Sequence, residues 1–350
     1  MTGVTNPLKN TRKLGSITFS SGGQQSLQLD KNGVLLRLLL RLQFTVTNSA
    51  TAPVGPLFMT LARLLRNVQV LVGGRDVVQN MTGWAMAARA IIEAKGVYPQ
   101  GMAATVNTTA SAVTSYDVTL PVDFTLPLGA RFDDTALDTT GLSQLSLIVS
   151  WGTSDAADLF ATPNGAAISN VSLDIEGEYI PNPFRDPKTG MAISNGIAVQ
   201  QNPATKPKPY MVRQLDYQQV DISATNSNLG ITIDQRTGLV LTSIMAIALA
   251  DNVGTDSIVN SLSMDAASLN FLNRDAPEIR ASNLRDLELT TGTIPGMLYV
   301  DPRVRGSLTN SIATAGLAGD LKWTADVTEV GTVCQLFIQR EGVRPLLTTV

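Results

Sequence analysis

The sequence predicts an all-β chain folded as two tandem sandwiches with a few short helices in the loops. Three observations predict it. Apolar residues recur with period two, one string of strand motifs appears twice in the same order, and a proline-rich stretch divides the two sets. The 350 residues also exceed what one core ordinarily fills, since single cores stop growing at roughly 250–300 residues.

The longest strand opens the pattern. Val34, Leu36, Leu38, Leu40, Leu42, Phe44 and Val46 are all apolar, with Arg37, Arg41, Gln43 and Thr45 between them. Such alternation gives a strand one buried face and one mixed face. Shorter strands follow at Val68–Val72, Tyr116–Phe124, Leu145–Trp151 and Val171–Ile175. The second set is Ile231–Ile233, Leu239–Leu249, Met297–Val300, Leu321–Val327 and Val333–Ile338. Turn residues separate them, among them Lys31-Asn32-Gly33, Gly73-Gly74, Pro163-Asn164-Gly165 and Arg236-Thr237-Gly238.

Three helices are expected. Pro56–Arg66 places Phe58, Leu61, Leu64 and Leu65 on one face. Trp84–Lys95 has Thr82 as N-cap and Gly96 just past its end, and Asp275–Leu287 has Asp275 as cap and Pro277 in its first turn.

Six of the 17 prolines fall between Pro181 and Pro209, the mark of a semi-rigid, extended connector. The expected division is a basic arm over residues 1–16, a first sandwich over 17–180, a linker over 181–210 and a second sandwich over 211–350. The halves echo each other. Ser26–Leu40 matches Ile231–Met245, and Leu120-Pro121-Val122-Asp123 matches Leu298-Tyr299-Val300-Asp301. Leu145–Trp151 parallels Leu321–Val327, and Val171–Gly177 parallels Leu336–Gly342. A helix sits midway in each half. About eight strands per copy with long connections suits a jelly roll.

Composition excludes much chemistry. Apolar residues are 44% and charged residues 16%, too apolar for a disordered chain. The net charge of −3 lacks the basic excess of a general nucleic-acid binder. There is no histidine, which removes Ser-His-Asp and Cys-His nucleophile pairs and histidine zinc sites. The single cysteine, Cys334, reads as a small core residue and rules out an intrachain disulfide. The opening MTGVTNPLKNTRKLGS has no apolar h-region, so the expectation is a soluble protein made in a reducing cytoplasm. Val34–Phe44, the most apolar run, is too short to span a bilayer and contains two arginines. The sequons at Asn80, Asn107 and Asn170 carry no message without secretion.

The segment Pro56–Ala90, PLFMTLARLLRNVQVLVGGRDVVQNMTGWAMAARA, and the closing stretches GMLYVDPRVRGSL and CQLFIQREGV resemble the double jelly-roll major capsid proteins of tailless, internal-membrane-containing icosahedral bacteriophages. Those are the tectivirus, corticovirus and finnlakevirus kinds. The resemblance implies two tandem eight-stranded jelly rolls and a homotrimer forming a pseudo-hexameric tile. It places the protein in the virion shell, with neighbouring trimers, vertex proteins and minor capsid proteins as partners. It implies no catalytic residues, no cofactor and no sequence-specific nucleic acid.

Candidate sites are few. Asp133, Asp134 and Asp138 lie in an acidic loop that either holds Ca²⁺ with backbone carbonyls or is a solvated loop or subunit ion pair; the spacing is not an EF-hand's. Lys9, Arg12 and Lys13 precede any acidic residue. Such an arm is drawn to anionic headgroups or to a neighbouring tile, or is a plain terminus. Arg37 and Arg41 suggest either a polyanion site or ion pairs on the mixed face of a strand. Paired carboxylates for glycoside hydrolysis carry no signal among 29 acidic residues, and no phosphate loop occurs. The alternative to a capsid tile is a tandem β-sandwich carbohydrate- or receptor-binding protein. Trp84, Trp151 and Trp323 fall in regular elements, which favours packing over sugar stacking.

Overall fold

The computed structural model describes residues 10–31, 33–126, 135–139, 142–180, 193–194, 197–198, 211–232, 239–266, 269–287, 294–301, 312–313, 317 and 321–345. Sixteen principal strands fall into two sets of eight. The first set is β1 (Asn10–Thr18), β2 (Gln24–Gln28), β3 (Val34–Thr47), β4 (Leu65–Val72), β5 (Asp76–Met81), β6 (Val113–Asp123), β7 (Leu145–Trp151) and β8 (Ala167–Ile180). The second is β9 (Met211–Asp221), β10 (Asn226–Thr232), β11 (Val240–Ala250), β12 (Val259–Ala266), β13 (Leu269–Asp275), β14 (Met297–Val300), β15 (Lys322–Val327) and β16 (Cys334–Pro345).

The pairing order is the same in both. The first half stacks a sheet ordered β1-β8-β3-β6 on one ordered β2-β7-β4-β5. The second stacks β9-β16-β11-β14 on β10-β15-β12-β13. Each is a closed Greek-key sandwich of eight strands, a jelly roll. The four motif pairs of the repeat fall on corresponding strands: β2–β3 with β10–β11, β6 with β14, β7 with β15, and β8 with β16.

Each roll has its own core. In β3 the positions Leu38, Leu40, Leu42 and Phe44 are buried. They join Val68 and Val70 of β4, Leu147, Val149 and Trp151 of β7, and Leu173 and Ile175 of β8. The second core gathers Leu241, Ile244, Leu262, Trp323, Leu336 and Ile338, with Cys334 buried among them. At about 25 cal/mol per Å² removed from water, these faces supply the main drive to fold.

Two helices occupy corresponding places, α1 (Gly83–Glu93) between β5 and β6 and α2 (Ala276–Asp286) between β13 and β14. The α1 start follows expectation: Thr82 is the cap, and its hydroxyl oxygen accepts from the Ala85 amide at 3.3 Å. At the other end Gly96 N donates to Ile91 O and Lys95 N to Ile92 O. That is a Schellman closure in which Lys95, not Gly96, takes the left-handed first position at φ 56°. Asp275 caps α2 by position without a side-chain capping bond.

Two expectations are corrected. The helix over Pro56–Arg66 is only a single 3₁₀ turn at Thr60–Ala62. Met59 adopts φ 51°, which no helix continues through, and Leu65 already pairs with Trp151 as the start of β4. The apolar spacing served burial instead, since Leu61, Ala62, Leu64 and Leu65 all enter the first core. The arm over residues 1–16 is also shorter than expected. Asn10 onward is β1, laid antiparallel on β8 with Arg12 opposite Gly177 and Lys13 opposite Glu176. The acidic partner strand recruits the basic residues into the ladder. Of the proline-rich segment 181–210, only the two-residue bridge of Ile193–Ser194 with Ile197–Ala198 lies within the described residues.

Gly83 sits where α1 touches its own roll. A Cβ there would lie 2.2 Å from the Ala62 carbonyl oxygen and 2.8 Å from Leu65 Cβ. Gly83→Ala is expected to lower stability by roughly 1–3 kcal/mol, read as a shifted denaturant midpoint. An unchanged midpoint contradicts this packing.

Candidate functional site

The two rolls meet along one seam, and the elements that build it are β5 and α1 from the first roll and β9, β16 and β11 from the second. β5 and β9 touch in parallel, Gln79 against Leu215, which makes the β2-β7-β4-β5 sheet of the first roll continuous with the β9-β16-β11-β14 sheet of the second. Ten strands thus run in one sheet across both halves.

α1 fills the angle beside that junction. Ten of its eleven residues are buried. Met86 and Ala87 enter the first core. Trp84, Ala85, Ala88, Ile91 and Ile92 pack instead on Met245, Ile247 and Leu249 of β11 and Met297 and Tyr299 of β14. The Trp84 ring meets Phe337 of β16 edge-on at 4.5 Å and Phe58 at 5.8 Å. A helix coated on both sides cannot be amphipathic in the ordinary way, which is why its sequence, GWAMAARAII, is apolar almost throughout.

Charge is buried within this apolar seam, and every member is paired. Arg89 Nη2 lies 2.6 Å from Glu341 Oε2, and Arg89 Nε donates to Glu93 Oε1 at 2.7 Å. Arg213 Nε donates to Glu341 Oε1 at 2.7 Å, and its Nη2 reaches Glu93. Arg213 Nη1 donates to the Asp123 and Thr125 carbonyls, both at 3.0 Å. The Ser243 hydroxyl donates to Glu341 Oε2 at 2.6 Å and accepts from Arg89 Nη2 at 3.1 Å. The Arg89 guanidinium also stands 5.3 Å from the centre of the Tyr299 ring.

Burial shapes the protonation of these groups. Burial works against the Arg89 charge, but Glu341, Tyr299 and Glu93 outweigh it and hold its pKa above the ordinary arginine value. Burial pushes the Tyr299 hydroxyl up to about 12, with the Glu341 charge adding to it and the Arg89 charge opposing. Burial and the Glu93 charge raise the Asp123 carboxyl above its usual range, against the pull of Arg37.

A second polar rung runs beside the first. Arg344 of β16 donates from Nη1 to Asp76 Oδ2 at 3.0 Å and from Nε to Gln214 Oε1 at 2.5 Å. Asp216 accepts from Asn80 Nδ2 at 3.0 Å and from Arg340 Nη2 at 3.3 Å. All of these contacts join the first roll to the second or brace those that do.

The residues singled out by sequence lie elsewhere. Arg37 pairs with Asp123, its register partner on β6, and with Glu178 at 3.9 Å. Arg41 donates from Nε to Asp117 at 3.0 Å. Both are cross-strand ion pairs on the outer face of the first roll, the plainer of the two readings. Arg12 stands 3.7 Å from Asp30 and Lys13 3.1 Å from Asp174, while Lys9 lies outside the described residues. Asp133 and Asp134 also lie outside them; Asp138 pairs with Val34 in a short bridge. Among the described residues no three potential ligands gather to hold a metal ion. No helix among them is long and apolar enough to cross a membrane. The three tryptophans are buried.

The seam residues Arg89, Glu93, Arg213 and Glu341 escaped the sequence reading. The signal was present in Arg89, a charge in the middle of an apolar helix, because a charge so placed must find a buried partner.

No family model matches the sequence, and no curated protein matches it. Solved structures do resemble it. The chain is similar over 98% of its length to the STIV MCP, with TM-score 0.71, 12% identity and 99% of that chain covered. It is similar over 98% to the major capsid protein of bacteriophage PM2, with TM-score 0.59, 12% identity and 99% coverage. It is similar over 97% to the PBCV-1 virus capsid, with TM-score 0.63, 12% identity and 94% coverage. The shared fold is the double jelly roll, from one end of the chain to the other.

Two outcomes are expected. Glu341→Gln leaves Arg89 and Arg213 short of a buried counter-charge and costs about 3–5 kcal/mol, measured by chemical denaturation; a loss under ~1 kcal/mol contradicts the cluster's role. Tyr299 binds its proton more tightly folded than unfolded, so its contribution is whole below pH 10 and fades as pH rises toward about 12. Tyr299→Phe is therefore expected to flatten the alkaline loss of stability in that window, by roughly 1.4 kcal/mol per pH unit. Identical alkaline slopes in both proteins contradict it.

Proposed function

We propose that the chain is a viral major capsid protein, a structural component of the virion shell. One observation carries the reading: a double jelly roll takes up the chain end to end, and solved structures sharing that course over nearly their whole length are a virus capsid and a major capsid protein. The physics of the seam supports it. Two rolls welded by a continuous sheet and a buried ion cluster form one stiff block with two similar sides. Three such blocks in a ring present six rolls, and a six-sided tile fills a lattice.

In this reading the working parts are surfaces, and partners are neighbouring tiles together with vertex and minor capsid proteins. An internal membrane under the shell is part of the proposal in a narrower form than the whole basic arm. Arg12 and Lys13 already face Asp30 and Asp174 respectively, so lipid attraction rests on the segment before Asn10, which contains Lys9.

Light scattering coupled to size exclusion tests the tile. A species near three times 37.2 kDa that persists on dilution, forming shells by electron microscopy, is the expected result. A monomer at every concentration overturns it. Deleting residues 1–9 is expected to weaken flotation with anionic vesicles and leave the mass unchanged; unaltered flotation removes the membrane from the proposal.

A further inference from the structure

α1 ends beside the outer face of the first roll. Its last turn and the loop that follows stand over β3 and β6, and a cleft of about 380 Å³ opens between them, a size that suits a small molecule. The walls are apolar: Leu39 of β3, Pro121 of β6, and Val97, Tyr98 and Pro99 of the loop. Val97 and Tyr98 stay exposed there.

One end of the cleft is charged, where Arg37, Glu93 and Asp123 line it. The Glu93 and Asp123 side chains are only 12% and 10% exposed. Behind them lies a space of about 10 Å³ that Glu93 and Asp123 line again, together with Arg89 and Arg213 of the seam. The cleft therefore ends on the buried ion cluster.

The charges of that cluster do not balance. Arg37 pairs with Asp123 and Glu178. Arg89 and Arg213 both pair with Glu93 and Glu341. Three cations thus face four carboxylates among the described residues. Arg89 and Arg213 donate to the same oxygen of Glu93, Oε1, and Arg37 donates to Oδ1 of Asp123. Glu93 Oε2 and Asp123 Oδ2 receive no donor among the described residues. The C-terminal end of α1 adds the negative pole of its dipole, since Ala90 and Ala94 line the cleft beside Glu93. Lys95, the next residue, does not line it. Burial, and after it the Glu93 charge, hold the Asp123 carboxyl above its usual range. A cation between the two carboxylates offsets the second of these causes.

We propose that this cleft binds an organic monocation, a primary ammonium on a short apolar body, with the ammonium at Glu93 and Asp123 and the body against Leu39, Tyr98 and Pro121. The excess is one charge and the walls are apolar. A divalent metal ion asks for about six or more oxygens, and among the described residues no three potential metal ligands gather. The site does not depend on the capsid reading. Because its charged end belongs to the seam, occupancy is felt where the two rolls join.

Titration calorimetry and thermal melting of the full chain test it, with phenethylammonium, 2-phenylethanol, 3-phenylpropanoate and calcium chloride as probes. Phenethylammonium is expected to bind once per chain and to raise the melting midpoint. The alcohol is expected to bind about ten-fold more weakly or worse, and the carboxylate and calcium not to bind. Ammonium affinity is expected to rise with pH as Asp123 loses its proton, since the two cations compete for one carboxylate, which Glu93, Arg37 and Arg213 face. Asp123→Asn is expected to weaken ammonium binding about ten-fold or more. That change also unpairs Arg37, so Ala94→Trp at an exposed position is the second variant. It is expected to fill the cleft and abolish binding while leaving the unliganded midpoint unmoved. Arg37→Gln removes a repelling charge and is expected to tighten ammonium binding several-fold. No ammonium binding at millimolar concentration overturns the proposal, as does equal affinity for the amine and the alcohol. Calcium taken in place of the amine overturns it too, and so does a carboxylate that binds and is lost in Arg37→Gln.

Discussion

Arg213 is the point on which the arrangement of the two rolls depends. Its guanidinium is 1% exposed and must be met on every side by acceptors, since an unpaired buried charge is untenable in a medium of low dielectric. Those acceptors come from both rolls: Glu93 on α1, the Asp123 and Thr125 carbonyls at the end of β6, and Glu341 on β16. Attraction within such a cluster is largely offset by desolvation. What it sets is position, because a slip between the rolls strands a charge.

With that position set, the apolar contacts follow. α1 is held where Trp84 and Ile91 meet Met245 and Tyr299, so β11 is covered on both faces and reads as a nearly unbroken apolar run. Among the described residues the outer face of β3 is not sealed in this way: Arg41 is exposed and the face stays mixed, with Arg37 and Arg41 matched to carboxylates across the ladder. One fold copied twice thus presents a buried joint inside and a polar face outside.

The sequence reading missed strands away from the joint, β1, β12 and β13, and two at it, β5 and β9. β3, β7 and β15 were legible because apolar, buried residues recur there at every second position. β5 and β9 were not, because the residues they bury include Gln79, Arg213 and Gln214. Binary pattern marks a buried position only when the buried residue is apolar, and at the seam polar groups satisfy one another instead. The mistaken helix over Pro56–Arg66 has the opposite cause: Leu61, Leu64 and Leu65 are core residues at helical spacing in a segment that Met59 and the pairing of Leu65 keep from being helical.

The sequence by itself determined the all-β class, the duplication and the lack of histidine- and disulfide-based chemistry, because period, repeat order and residue counts are local or additive properties. It also determined the start of α1, where the Thr82 capping bond is made within a few residues. Only the tertiary structure decided which face of each copy is covered and which charges are buried together. Arg89, Arg213 and Glu341 stand more than a hundred residues apart from one another, and nothing in the chain between them records that they meet. Their meeting depends on how one roll is laid against the other, a choice made by packing across the seam rather than by the preferences of any segment.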